Sequence, residues 1–299
     1  MENWRRILTY DPISSLLLSN NKVLVYFTQK ILLDQKPRII NIQKTPQVKK
    51  IINKQRDEGS WKPSKKTGYP PDNKVLVETF KNIRILVRTY KLKKSCASVK
   101  KAADYLFKWQ TKVGDFRGFI GDQYAPYYTG EILAILTLAR YTNDTRIHRG
   151  INWLLEMRQN DGGWTVPILT HKLDRDTSLR ATSEPWETLE PIRDMPFSHN
   201  WTEMSLRPIA VHPSYKYNPE ARKAATLLKS RFFKPDVYGS YRDKEYWVRF
   251  RFWWSNLVTS LDSLSLMGYR IEDNDISCAK NWLISNQMPN GLWKTSYKK

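Results

Sequence analysis

Residues 121–164 read GDQYAPYYTGEILAILTLARYTNDTRIHRGINWLLEMRQNDGGW, and this stretch decides the fold class. GEILAILTLARY, 130–141, is apolar around most of its circumference, which predicts a helix buried on several sides. The next segment carries a narrower stripe of Ile147, Ile151, Leu154 and Leu155, the mark of a helix with one buried face. It ends in Gln159, a short glycine-containing turn and Trp164.

The same ending recurs along the chain. IINKQRDEGSW holds Gln55 and closes on Trp61, YLFKWQTKVGDF holds Gln110 and closes on Phe116, and NWLISNQMPNGLW holds Gln287 and closes on Trp293. A weaker copy, LLKSRFFKPDVYGSY, lacks the Gln and closes on Tyr241. Successive endings lie 55, 48, 77 and 52 residues apart, each enough for two helices, and the 77-residue interval requires an insertion at about 165–200. Before the tails lie apolar helices at 74–90, 130–141 and 255–269, so an inner ring of buried helices inside an outer ring of amphipathic ones is expected. That is an all-α chain, an α/α toroid of five to six helical hairpins forming one domain over 1–299, with an open solenoid as the rival. Strand-like alternation is confined to YWVRFRFWW at 246–254. In each tail the Gln is expected to bind carbonyls or amides at the helix end, the Gly to permit left-handed closure and the aromatic to seal the joint.

Composition bounds the function. Of 299 residues, 40% are apolar and 13% aromatic, so the chain can bury a core despite a net charge of +21. The charge is regional: residues 30–112 hold 22 Lys and Arg against 6 Asp and Glu. Helix 95–110 places Val99, Ala102, Ala103, Leu106 and Gln110 on one stripe and Lys101, Asp104, Lys108 and Lys112 on the other, so part of that charge lies on a solvated face. Cys96 and Cys278 are too far apart for a disulfide framework or a Cys-rich zinc module, and a reducing cytoplasm is the expected compartment. The amino terminus lacks the order of regions of a signal peptide, and no run of eighteen apolar residues exists, although lying on a membrane surface is compatible with the sequence.

The tails QNDGGW at 159–164, QMPNGLW at 287–293 and QRDEGSW at 55–61 resemble the QW repeats of the squalene cyclase and prenyltransferase superfamily, and 121–164 is similar to a group of prokaryotic squalene cyclase-like proteins. The resemblance implies the toroid. It is weak for activity, because the superfamily includes triterpene and diterpene cyclases, protein prenyltransferases and members without an established reaction. Class II terpene cyclases protonate an alkene or epoxide with the middle Asp of DxDD; the nearest match here is Asp174-Arg175-Asp176-Thr177, which would give Asp176 the acid role with Asp174 beside it. The fourth position departs, and the following SLRATSEPWETLEP is polar and broken by Pro185; the alternative is that both acids lie in solvent within the insertion. Prenyltransferases hold zinc through Asp-x-Cys and a distant His, but Lys94 and Ile276 precede the two cysteines at that spacing and His148, His171, His199 and His212 are isolated, so no metal is implied. No P-loop, dinucleotide-binding glycine pattern or Gly-x-Ser-x-Gly elbow is present, so no cofactor is implied.

Segments leading into inner helices should face the ring's middle. They supply Asp122, Tyr127, Tyr128 and Glu131 in one repeat, Trp201 and Glu203 in another, and Phe250, Trp253, Trp254 and Asp262 in a third. Aromatic walls with a few acids suit an isoprenoid or another apolar small molecule, although large aromatics at helix ends are also ordinary core. Arg249 and Arg251 would meet an anionic head group, or else pair with Asp243 and Glu245. Three functions follow: a terpenoid cyclase-like protein that binds or cyclises an isoprenoid, as an isomerase or lyase acting by protonation; a non-catalytic ligand-binding or scaffold toroid; and a basic-surface protein for nucleic acid or an anionic membrane.

Overall fold

The structure, a computed structural model, describes residues 4–63, 71–238, 243–250 and 254–295. Five helical hairpins follow one another: α1 (Ile13–Leu17) and α2 (Lys22–Phe27) with α3 (Pro46–Ile52); α4 (Pro71–Arg84) with α5 (Ala97–Phe107); α6 (Pro126–Leu136) with α7 (Thr145–Glu156); α10 (His199–Val211) with α11 (Pro219–Lys229); and α12 (Leu257–Leu266) with α13 (Asn274–Ser285). Short helices α8 (Pro167–Thr170) and α9 (Arg175–Ser183) occupy the insertion. Among the described residues there is no strand, only isolated bridges such as Gln55 to Trp61 and Gln110 to Phe116 across two tails. The chain is all-α, as expected; within 246–254 the described part is a 3-10 turn at Lys244–Val248 followed by an irregular segment.

The two-ring alternation is clearest at α6, ten of whose eleven residues are buried, and α10, buried at twelve of thirteen. These two pack most extensively against each other; α4 flanks α6 on one side and α12 flanks α10 on the other, while α5, α7 and α11 lie outside. One backbone detail explains how close α6 and α10 come. Pro208 lies inside α10 and has no amide for the carbonyl of Met204. Gly130 of α6 sits on that carbonyl, where an added Cβ would lie 2.4 Å from the oxygen. The apolar stretch 255–269 behaves differently from the expectation of a helix buried on several sides: α12 buries Leu257, Ser260, Ser263 and Leu264 but leaves Val258, Asp262 and Leu266 exposed.

The repeat tails make the joints. Gln55, Gln110 and Gln287 each donate from Nε2 to the glycine carbonyl of their own turn and to a carbonyl of another unit: Gln55 to Gly59 and Ser98, both at 2.9 Å, Gln110 to Gly114 at 2.8 Å and Arg146 at 2.9 Å, and Gln287 to Gly291 and Tyr10, both at 2.8 Å. Gly59 has φ +100, and a side chain there would collide with the carbonyl of Lys101 at 2.1 Å, so this turn requires glycine. The closing indole reaches back ten residues: Trp61 Nε1 donates to Ile51, Trp164 to Leu154 and Trp293 to Leu283. The main-chain amide of the aromatic instead donates to a threonine of the next inner helix, Trp61 to Thr79, Phe116 to Thr129 and Trp164 to Thr202. The last tail meets the start of the chain, Gln287 donating to the carbonyl of Tyr10 at 2.8 Å and accepting from its amide at 2.9 Å. Tyr241, the end of the weaker copy, lies outside the described residues.

The insertion covers the amino-terminal ends of α6 and α10. Its Val166, Ile168 and Ala181, with Leu173, Trp186 and Leu189 against them, form a small apolar cluster with Ala125, Tyr127, Trp201 and Met204. It is tied down by polar contacts, Gln123 Nε2 to the carbonyl of Glu187 at 2.8 Å and the Leu189 amide to Gln123 Oε1 at 3.1 Å. Gln159 accordingly departs from its counterparts: its Nε2 donates to Ile192 and Met195 of the insertion, both at 2.8 Å.

Candidate functional site

The middle of the ring is built in two layers because inner helices present different residues at successive turns. At the amino-terminal level, Tyr127 of α6, Trp201 of α10 and Trp254 before α12 converge: Tyr127 lies 4.5 Å from Trp201 and 6.3 Å from Trp254 between ring centres, and the two indoles are 5.5 Å apart. Tyr128 continues the group, 4.6 Å from Tyr127 and stacked at 4.1 Å on Phe119, which meets Phe80 of α4 edge-on at 5.8 Å. Offset and edge-on geometries of this kind are the favoured ones for aromatic pairs.

One turn further along the same helices the lining is charged. Glu131 of α6 is fully buried and accepts from Arg88 Nη2 and from Arg207 Nη1 of α10, both at 2.9 Å. Arg207 also spans to Glu203, four residues earlier on its own helix, with Nε donating to Oε1 at 2.6 Å and Nη2 to Oε2. Ser263 of α12 reaches the same Glu203 oxygen at 3.5 Å. Arg84, 5% exposed, lies over the Phe80 ring at 5.1 Å. Burial acts to raise the Glu131 pKa, but Arg88 and Arg207 outweigh it and hold the carboxyl below its ordinary value, in the ionised form. The same pairing carries the Arg207 pKa above its usual value against its burial. The segment Ile85–Thr89 that continues α4, and α6 and α10, thus meet at ion pairs whose acids and Arg207 are buried, with Ser263 of α12 at their edge, and loss of one buried partner is costly.

The expected site residues divide accordingly. Tyr127, Tyr128, Glu131, Trp201 and Trp254 come together in the middle. Asp122 and Asp262 do not: both are exposed, and Asp122 contributes its carbonyl, which accepts from Arg117 Nη1 at 2.6 Å and Thr188 Oγ1 at 2.8 Å. Phe250 packs edge-on against Trp282 of outer helix α13, 6.2 Å between centres, away from the aromatic layer. Trp253 and Arg251 lie outside the described residues, and Arg249 pairs with Asp243 at 2.9 Å.

The expectation that Asp176 faces the middle as an acid is not met. It sits exposed in the first turn of α9, and Asp174 is the N-cap of that helix, accepting from the amides of Asp176 and Thr177 at 2.9 Å. The hydroxyl of Thr177 and these amides hold the Asp174 carboxyl below its usual pKa, opposite to what proton donation needs. Asp174-Arg175-Asp176-Thr177 is therefore a helix-capping sequence.

Arg84, Arg88 and Arg207 were not foreseen. The signal was present as Arg84 and Arg88 four apart within the apolar run IRILVRTY, and as Glu203 and Arg207 at the same spacing, an arrangement that places both on one helix face. At the start of α10, His199 and Asp236 form another buried group: Asp236 Oδ2 accepts from Ser198 Oγ at 2.7 Å and Asn200 Nδ2 at 3.0 Å, and the His199 ring stacks on Trp247 at 4.3 Å. Burial pushes the His199 pKa down to about 4, with Asp236 opposing and Arg231 assisting. Among the described residues no three His, Cys, Asp or Glu side chains are placed to share a metal ion.

Residues 79–188 match the family model of the squalene-hopene cyclase C-terminal domain, bearing out the likeness read from the tails. No curated protein matches the chain. Among solved structures, a protein from Actinoplanes is 16% identical, with 83% of this chain and 80% of that one covered at a TM-score of 0.32. The type II terpene cyclase MstE from Scytonema is 14% identical over 83% and 79% of the two chains, TM-score 0.35. A single-residue variant of that cyclase in complex with its substrate, geranylgeranyl dihydroxybenzoate, is 12% identical over 83% and 78%, TM-score 0.34.

Proposed function

From the squalene-cyclase likeness of residues 79–188 as premise, we propose that this chain is a terpenoid cyclase-like protein that holds an isoprenoid or similar apolar chain at its aromatic layer without cyclising it. The observation that carries the reading is the convergence of Tyr127 of α6, Trp201 of α10 and Trp254 of the segment before α12. Flat apolar faces suit an unsaturated hydrocarbon.

Against cyclisation stands the state of the acids. Asp174 and Asp176 are at the surface, and Glu131 is kept ionised by two guanidiniums, so it has no proton to give to an alkene. Glu203 is engaged by Arg207 and Ser263.

The test combines native mass spectrometry after lipid extraction with tryptophan fluorescence during titration with geranylgeraniol and squalene. Saturable quenching that Trp201→Ala and Tyr127→Ala weaken supports the binding site; no bound lipid and no saturable change refutes it. Incubation with squalene or geranylgeranyl diphosphate should return substrate unchanged. A cyclised product that disappears in Asp176→Asn would restore the catalytic reading and remove this one.

A further inference from the structure

Exposed large apolar side chains are concentrated near the amino terminus. Leu18 is 83% exposed, Leu24 38%, Ile31 59% and Ile39 87%, all within 22 residues. Basic side chains alternate with them: Lys22, Lys30, Lys36 and Arg38 are all exposed, while Asp34 is the sole acid from Leu18 to Ile40. The two halves of the stretch lie side by side, since Lys22 and Tyr26 of α2 line a common cleft of about 270 Å³ with Pro37, Arg38 and Ile40. The stretch is anchored from beneath by Val23, 3% exposed and part of the main core, and by Thr28, 2% exposed.

Scattered single apolar groups on a surface need no explanation, but four in one short basic stretch do. A nucleic acid would take up the lysines and leave the leucines and isoleucines in water. A neutral protein groove would take up the apolar groups and leave the charge unused. An anionic lipid surface satisfies both, because aliphatic side chains enter the headgroup boundary while Lys and Arg remain at the phosphates with their stems covering apolar surface. No described helix is long and apolar enough to cross a membrane, so the contact is one of lying on the surface.

We propose that residues 18–40 form a docking surface for an anionic bilayer, with Leu18, Ile31 and Ile39 entering the interface and Lys22, Lys30, Lys36 and Arg38 holding the headgroups. This surface does not depend on what the aromatic layer binds.

The full chain is sedimented with vesicles of phosphatidylcholine alone and of phosphatidylcholine mixed with phosphatidylglycerol. Binding to the mixed vesicles is expected to exceed binding to the neutral ones by about tenfold or more, each basic residue contributing roughly fivefold near the surface. Leu18→Ser/Ile31→Ser/Ile39→Ser leaves the charge intact and should lower binding to the mixed vesicles by about tenfold or more. Ile39→Asp alone should give a partial loss, with unchanged far-UV circular dichroism and melting as the control on folding. Equal binding of the triple variant and the native chain to anionic vesicles overturns the proposal. So does a native chain that stays in solution with anionic vesicles but binds duplex DNA with steep salt dependence, which would assign the basic surface to nucleic acid.

Discussion

Gln287 and Tyr10, 277 residues apart, exchange two hydrogen bonds: the Gln Nε2 donates to the Tyr10 carbonyl at 2.8 Å and its Oε1 accepts from the Tyr10 amide at 2.9 Å. The last repeat tail thereby treats the start of the chain as the next unit of the ring. Ser15 adds a third link, its hydroxyl donating to the carbonyl of Asn290 at 2.6 Å.

Gln287→Ala leaves the carbonyl of Gly291 without its donor in a buried place and that of Tyr10 in a part-buried one, at a cost of about 1–3 kcal/mol. Deleting residues 1–11 removes part of the same joint, so the two changes should be less than additive. Urea unfolding of the single and combined variants checks this; full additivity would mean that the joint contributes nothing as a unit.

Arg207→Met leaves Glu131 with only one close guanidinium and Glu203 with none, and should cost about 3–5 kcal/mol. Replacing the arginine together with both acids by apolar residues of similar volume should restore most of the loss, because no charge is then buried alone. Chemical denaturation of the single and triple variants decides it, and a single variant as stable as the native chain would contradict the account.

Gly130→Ala places a methyl group 2.4 Å from the Met204 carbonyl, a backbone atom that can move only by separating α6 from α10. A destabilisation of about 1–3 kcal/mol is expected. The aromatic layer bridges the same two helices, so the near-ultraviolet circular dichroism should change as well; an unchanged spectrum and melting point would show that the helices have slack.

His199 remains neutral in the folded chain down to about pH 4, whereas an unfolded histidine takes up its proton near pH 6.5. Between these values the unfolded state binds more protons, so stability falls as the pH is lowered through this window. The contribution is of order 1–3 kcal/mol, and His199→Gln should flatten the profile over the same interval. A native chain whose melting temperature is constant from pH 6.5 to 4.5 would refute the assignment.

The fold was legible because it is written in a repeated element with fixed spacing. Gln55, Gln110, Gln159 and Gln287 recur with Gly and an aromatic at near-constant offset, and local sequence is sufficient to specify a helix end and a turn. Which carbonyl each Gln reaches was not legible, since that partner lies on another hairpin. The threonines at 79, 129 and 202 went unread for the same reason: one Thr within an apolar helix carries no pattern, and its role as acceptor for a tail amide exists only after packing. At the centre, Tyr127, Trp201 and Trp254 could be placed from their positions at helix starts. Asp176 misled because a three-residue match to an acidic motif is identical in sequence to an N-cap followed by an acid in the first helical turn, and only burial separates them.

The joint at Gln159 has a consequence for how such a chain is modified in evolution or in the laboratory. At Gln55 and Gln110 the tail grips the neighbouring hairpin directly, so those units are interchangeable in principle. Here the grip is on Ile192 and Met195, which makes the inserted stretch a gasket between the third and fourth hairpins. Shuffling hairpins among relatives would have to carry that gasket along, and trimming it would open the ring at its most heavily packed seam.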